Sequence, residues 1–215
     1  MSPAHAHHAG HTPLSPLIHL IDDDAAVRDS LALLIGTVGL RVQVWSDPQA
    51  FIEGFDRQGI GAIVLDVRMP GISGLTVHES LVAQGVDQPV IMFTGHGTVA
   101  MCRRAFKAGA AEFLEKPVND EQLLEALQNA VRQHVRSRER HQADRDARER
   151  YAQLSERERE VLGLIVGGLT NKEIGRALGL SPRTVETHRA NLFGKLEVDS
   201  LARLIRHYAA LAEAG

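Results

Sequence analysis

Between residues 17 and 117, short apolar runs alternate with amphipathic stretches, and this alternation limits the possible fold more than any other feature of the chain. Leu17–Ile21, Arg41–Trp45, Ile60–Leu65, Val90–Phe93 and Glu112–Leu114 have the length and the apolar content of strands. Residues 26–38, 48–55, 75–84, 98–108 and 120 onward repeat their apolar positions at helical spacing. Strand–helix pairs in this order predict an α/β fold, with a parallel sheet covered on both faces by helices. Ligands of such sheets bind beyond the carboxyl ends of the strands, so the residues just past each apolar run are the first to inspect.

Those residues are polar and chemically matched. Asp22, Asp23 and Asp24 follow the first run, Asp66 the third, Thr94 the fourth and Lys116 the fifth. A parallel sheet gathers them at one edge. Crowded carboxylates repel, and their pKa values rise unless a cation neutralises them. Oxygen donors without Cys or His suit a hard ion, Mg²⁺ before Zn²⁺. Lys116 adds a second positive charge and Thr94 a hydroxyl donor. The set suits a phosphoryl group, with Asp66 as carboxylate nucleophile.

Beyond residue 120 the helical pattern runs far past an ordinary length. Leu123, Leu124, Leu127 and Val131 form its apolar stripe, and residues 132–150 carry mixed charge without Gly or Pro. Apolar positions become too sparse after Val135 for a sustained heptad, which predicts a solvated linker helix over 131–152. Residues 153–215 read as four short helices. Ser155 with Glu158, and Thr170 with Glu173, are capping boxes; Ser181 precedes Pro182 at a third helix start, and Ser200 can cap a fourth. The second and third helices flank a short turn with Gly179, the helix-turn-helix plan, in which the later helix enters the major groove of DNA. Val185, Leu192 and Leu196 form its core stripe, so Glu186, Thr187, Ala190 and Asn191 face away. Lys172, Arg183, Thr184, Arg189 and Lys195 are placed to reach phosphates.

Composition sets the frame. With 215 residues, 44% apolar and 24% charged, the chain is of ordinary globular make-up. No run approaches the roughly 18 apolar residues of a membrane span, and the start lacks the basic-then-apolar pattern of a secretory leader. The lone Cys102 forms no internal disulfide, which suits a reducing cytoplasm. Residues 1–130 carry 8 basic and 15 acidic residues, whereas residues 131–215 carry 16 and 12, so the two halves expect different partners. Residues 1–16, rich in His and Pro, read as an unstructured tail. His78-Glu79 is not followed by the second His of a metalloprotease motif and reads as helix surface; Cys102 reads as packed rather than reactive. Nucleotide-binding P-loop and nucleophile-elbow motifs are absent from the sequence.

The text around the strand ends resembles a known family. I-D-D-D at 21–24, L-D-V-R-M-P-G-I-S-G at 65–74, F-T-G-H-G at 93–97 and F-L-E-K-P at 113–117 are similar, in order and spacing, to the receiver domain of two-component response regulators over about residues 17–130. The resemblance implies a flavodoxin-like sheet of order 2-1-3-4-5, with Asp66 accepting a phosphoryl group from a histidine kinase. It implies that Asp22, Asp23, Asp66 and the Arg68 carbonyl hold Mg²⁺, that Thr94 and Lys116 contact phosphoryl oxygens, and that Phe113 is the switch aromatic. Phe113 lacks the hydroxyl of the commoner Tyr. Lys116–Pro117 matches the family's cis peptide. Residues 154–211, with L-S-E-R-E-R-E-V-L, G-L-T-N-K-E-I-G and L-S-P-R-T-V-E-T-H-R-A-N, resemble the LuxR-type helix-turn-helix. Together the two halves look like the FixJ-like branch of response regulators. The resemblance implies a phosphorylation-controlled transcription factor that dimerises, binds double-stranded promoter DNA, engages RNA polymerase and catalyses nothing beyond its own phosphorylation and dephosphorylation. Glu186 fits that picture least well, since an acidic side chain repels phosphate unless it accepts from a cytosine amino group.

Overall fold

The computed structural model describes residues 15–213, and of the tail expected at residues 1–16 all but the last two residues lie outside them. The described residues divide into two compact units, with the boundary between Ser137 and Arg138.

In the first unit the strands are β1 Leu17–Ile21, β2 Arg41–Trp45, β3 Gly61–Asp66, β4 Val90–Thr94 and β5 Glu112–Glu115. All neighbours are parallel, in the order β2-β1-β3-β4-β5. This is the expected flavodoxin-like sheet. The central strand β3 is buried along its whole length, which explains why Ala62–Leu65 is uninterruptedly apolar. The edge strand β2 is partly exposed and alternates Val with Arg and Gln. β3 and β4 each run one residue further than their apolar runs, because Asp66 and Thr94 still pair in the ladder, with Phe93 and Glu115. The strands therefore deliver their terminal polar groups in ladder geometry rather than on free loops.

Five helices follow the strands: α1 Ala25–Gly36, α2 Pro48–Gly54, α3 Gly74–Ala83, α4 Val99–Lys107 and α5 Asp120–Ala152. Each start is fixed by an oxygen side chain. Asp24, Asp47, Ser73 and Thr98 cap the first four, and Asn119 Oδ1 accepts from the Glu121 amide at 2.8 Å. One face of the sheet packs Ile21, Ile63, Leu65 and Met92 against Phe51, Val77, Leu81 and Ala105. The other packs Ile18, Leu20, Val64 and Ile91 against Leu31, Ile35, Leu123 and Leu127. Each such fully buried aliphatic side chain contributes roughly 1.5–3 kcal/mol. α5 runs unbroken for 33 residues, with Leu123, Leu127, Ala130 and Val131 in the first unit's core and Ala147 in the second's. Residues 139–145 of α5 are exposed.

The second unit holds α6 Glu156–Val166, α7 Asn171–Leu178, α8 Pro182–Lys195 and α9 Leu201–Glu213. Both capping boxes form, at Ser155/Glu158 and Thr170/Glu173. Gly179 ends α7 in the left-handed conformation, with φ 66°. A Cβ at Gly175 would lie 2.8 Å from the Leu180 carbonyl oxygen, so glycine there is what lets α7 and the turn into α8 approach this closely. Val161, Leu162, Ile174, Val185, Leu192, Leu196, Leu204 and Tyr208 form the core.

Here one expectation needs correction. His78 is not helix surface: it is 2% exposed in α3, and among the described residues both its ring nitrogens lack a partner. Burial drives its pKa below the ordinary histidine value, with the Glu79 charge opposing. Glu79 does lie on the surface, held at 2.7 and 2.6 Å by Arg104 of α4. Cys102 is half-buried in α4, neither fully packed nor fully exposed.

Candidate functional site

The parallel ladder brings the carboxyl ends of β1, β3, β4 and β5 to one sheet edge, and the polar residues there converge. Carboxylate oxygens of Asp22, Asp23 and Asp66 lie within 4.8 Å of one another, with Asp22 and Asp66 buried and Asp23 exposed. Lys116 Nζ bridges them, at 2.6 Å from Asp22 Oδ2 and 3.0 Å from Asp66 Oδ1. Burial raises the Asp66 pKa above the ordinary aspartate value; the Lys116 ammonium pulls it down, and the Asp22 charge pushes it up again. Burial alone would lower the Lys116 pKa, but its hydrogen bonds to Asp22 and Asp66, and their charges, hold it above the ordinary lysine value. The Lys116 ammonium also lies over the Phe93 ring, with Nζ 4.7 Å from the ring centre.

The three consecutive aspartates have separate tasks. Asp24 caps α1, accepting from the Ala26 amide at 2.8 Å. Asp22 Oδ1 accepts from the Asp24 amide at 2.9 Å, while Oδ2 meets Lys116. Arg28 donates to the Asp22 carbonyl at 2.6 Å. Asp23, by contrast, is exposed. Arg68 touches Asp66 through its backbone amide, 3.2 Å from Oδ2. Thr94 is fully buried, and its hydroxyl oxygen accepts from the His96 amide at 3.3 Å. The donor set, three carboxylates without a soft ligand, fits a hard divalent cation.

Two glycines that the strand-end pattern does not single out shape this pocket. A Cβ at Gly74 would lie 2.0 Å from the Asp66 carbonyl oxygen, so the start of α3 packs directly on the Asp66 backbone. A Cβ at Gly97 would meet Phe113 Cε1 at 3.1 Å and Thr94 Cγ2 at 3.5 Å, so Gly97 lies between those two side chains. The Gly97 amide donates to Glu115 Oε1 at 3.2 Å. The signal that could have found both residues was two glycines inside otherwise specific motifs, where close backbone approach is the usual reason.

The second site is α8. Val185, Leu192 and Leu196 are buried, and Arg183, Thr184, Glu186, Thr187, Ala190 and Asn191 are exposed. Arg183, Glu186, Thr187 and Ala190 line an open depression. The Thr184 hydroxyl joins Ser181 Oγ at 2.8 Å in the helix cap. Arg189 is half-buried, its guanidinium 5.9 Å from the Phe193 ring centre. Lys172 is exposed in the first turn of α7. Lys195 departs from expectation: it is not a free cation of the reading face, because its Nζ sits 2.7 Å from Glu158 Oε2, inside the capping box of α6. Burial would raise the Glu158 pKa, but Lys195 and the Ser155 donors hold it below the ordinary glutamate value.

Family comparison follows the same division. Residues 18–128 match the response regulator receiver domain, and residues 152–208 match the LuxR family of bacterial regulatory proteins. The chain is a FixJ-like response regulator. It is 44% identical over 194 residues to the transcriptional regulatory protein FixJ of Azorhizobium caulinodans, covering 90% of this chain and 92% of that one. Its identity with FixJ of Bradyrhizobium diazoefficiens is 41% over 189 residues, 88% of this chain and 92% of that one. The solved structure of the response regulator StyR superimposes with TM-score 0.80 at 36% identity, covering 91% of this chain and 99% of its own. The regulator is thus a transcriptional regulatory protein of a two-component system, with a receiver that takes its signal from a kinase and a LuxR-type unit that binds DNA. Among the described residues, no helix is long and apolar enough to cross a membrane.

Proposed function

We propose that Asp66 is the phosphoacceptor and that its phosphorylation controls dimerisation and promoter binding. The observation that carries this reading is the Lys116 ammonium, which bridges the buried carboxylates of Asp22 and Asp66 beside Asp23 and within one strand end of Thr94. An Asp66 carboxylate oxygen attacks phosphorus, the O–P bond forms, and the P–N bond of the kinase phosphohistidine breaks, its electron pair leaving with the imidazole. Lys116 already stands 3.0 Å from Asp66, where it neutralises charge on the transferred group. Thr94, at the end of the neighbouring strand β4, supplies a hydroxyl donor.

Mg²⁺ is the ion this oxygen set fits; Asp22, Asp23, Asp66 and the Arg68 carbonyl would hold it, and when bound it supplies charge neutralisation for the acids and the phosphoryl oxygens. Phe113 and Thr94 flank Gly97, so a change at Thr94 is felt at Phe113 through that loop. The pocket acts on its own aspartate and turns over no other substrate. Residues 131–152 serve as the helical link between receiver and reader. The phosphorylated regulator pairs with a second copy, acts in the cytoplasm and presents itself to RNA polymerase at the promoter. A single small helix-turn-helix makes few contacts, and pairing adds effective concentration. A chain that merely drained phosphoryl groups would have no use for α8.

Acetyl phosphate with Mg²⁺ should label the wild type and not Asp66→Asn, and hydroxylamine should release the label. Equal label on both proteins overturns the assignment. Sedimentation before and after labelling should show a dimer form; a mass that stays monomeric at micromolar protein refutes the second half of the reading.

A further inference from the structure

We infer that Glu186 selects a cytosine in each DNA half-site, an assignment that rests on α8 being the DNA-reading helix. In the second unit, Glu158, Glu160, Glu173, Glu197 and Asp199 each hold a cation or a helix cap. Glu186 holds neither. It is exposed in the second turn of α8 and, among the described residues, forms no ion pair or hydrogen bond. Beside the polyanionic backbone of DNA an unpaired carboxylate lowers affinity for every sequence unless a donor meets it.

Apart from Arg183, the surroundings leave a base edge as that donor. Glu186 lines an open depression with Arg183, Thr187 and Ala190. The Thr187 hydroxyl donates to the Arg183 carbonyl at 3.1 Å, so Thr187 offers the depression an acceptor lone pair and no hydrogen. Ala190 offers only a methyl group. The floor of the depression is therefore acceptor and apolar, with Arg183 as its one source of donors. In the major groove the exposed donors are the amino groups of cytosine and adenine. Adenine presents its amino group next to the N7 acceptor, which repels a carboxylate. Cytosine presents its amino group without an adjacent acceptor on the same base, the pattern an ionised carboxylate satisfies. Arg183, one turn earlier, offsets the negative charge and can donate to a guanine edge or a phosphate. Wrong bases leave the carboxylate desolvated and unmet, so discrimination arises chiefly by penalty.

The test is selection from a random duplex pool by the full chain phosphorylated with acetyl phosphate and Mg²⁺, with wild type, Glu186→Ala and Glu186→Gln in parallel. The wild type should enrich one cytosine position per half-site by about fivefold or more over other bases. Glu186→Ala should lose that preference and keep the others. Glu186→Gln should shift the position toward adenine, whose N6 and N7 a carboxamide can satisfy together. The side chain is exposed and unpaired, so thermal melts of the three proteins should coincide. The same base at that position in all three pools overturns the assignment. So does Glu186→Ala binding selected and scrambled DNA more tightly by one common factor, which would make Glu186 a purely repulsive charge. A wild-type pool with no enriched sequence overturns sequence reading by α8 itself, and the cytosine assignment with it.

Discussion

Replacing Lys116 with Met removes the ammonium and keeps most of the chain volume, which isolates its charge. The carboxylate oxygens of Asp22, Asp23 and Asp66 lie within 4.8 Å. At an effective dielectric near 20, two unit charges at that distance repel by about 3.5 kcal/mol. The variant can escape by protonating one acid. That costs about 1.4 kcal/mol for each pH unit above its pKa. With an ordinary aspartate value of 3.8, the cost is at most about 4 kcal/mol at pH 7 and about 1.6 kcal/mol at pH 5. Asp66 starts above 3.8 because of burial, and losing Lys116 raises it further, so the true cost is smaller at both pH values. We expect a loss of about 3 kcal/mol at pH 7 that shrinks to about 1 kcal/mol at pH 5. The sign follows from linkage: an acid with a raised folded-state pKa destabilises the fold as pH climbs from 3.8 through the folded value, and the penalty vanishes once both states are protonated. Urea unfolding of wild type and Lys116→Met at pH 5, 6 and 7 reads the difference. Saturating Mg²⁺ should stabilise the variant more than the wild type, because cation and ammonium neutralise the same acids. A loss that is constant with pH, or that grows toward pH 5, refutes the reasoning.

Other outcomes follow from single contacts. Glu158→Ala removes both the capping box of α6 and the Lys195 partner, and should destabilise the second unit by about 1–2 kcal/mol at pH 7. Because the Glu158 pKa is depressed, its contribution is present above the ordinary value of 4.5 and is lost as pH falls through the folded value, so the two melting curves should converge in acid. Gly74→Ala drives a Cβ into the Asp66 carbonyl and should slow acetyl phosphate labelling with little change in the DNA affinity of the unphosphorylated protein. Lys195→Ala should lower the melting temperature and leave the salt dependence of DNA binding unchanged, whereas Arg183→Ala should reduce that salt slope by about one. Asn191→Ala, an exposed amide on the reading face, should cost about 1–3 kcal/mol on the preferred site and almost nothing on scrambled DNA.

The features legible in the sequence are those whose physics is local. A capping box needs residues three apart, so Ser155/Glu158 and Thr170/Glu173 could be read directly and both form. The strand ends could be read because a parallel sheet sends every carboxyl end to the same edge, whatever the details of packing. This is why the sequence pattern alone groups Asp22, Asp66, Thr94 and Lys116. The division of labour among the three aspartates was also within reach, since Asp24 immediately precedes an apolar helical pattern and is the natural cap.

What stayed hidden depends on partners distant in the chain. Lys195 reads as a groove cation because its helix carries other cations; only the fold shows Glu158, 37 residues earlier, already holding its ammonium. His78 reads as surface because a polar pair, His-Glu, suggests a solvated face. α3 is buried on more than one side, with Gly74, Leu75, Val77, His78 and Leu81 all inside, so the helical period alone misplaces it. Gly74 and Gly97 act by having no side chain, and nothing in their own residue type says what fills the space: the Asp66 backbone for one, Phe113 and Thr94 for the other. The same logic bears on Glu186. Its sequence context gives two opposite readings, repulsion or base recognition, and what separates them is a three-dimensional fact. Its neighbours Thr187 and Ala190 offer no donor and, among the described residues, no cation is bonded to it, which leaves Arg183 and the DNA as the donors within its reach.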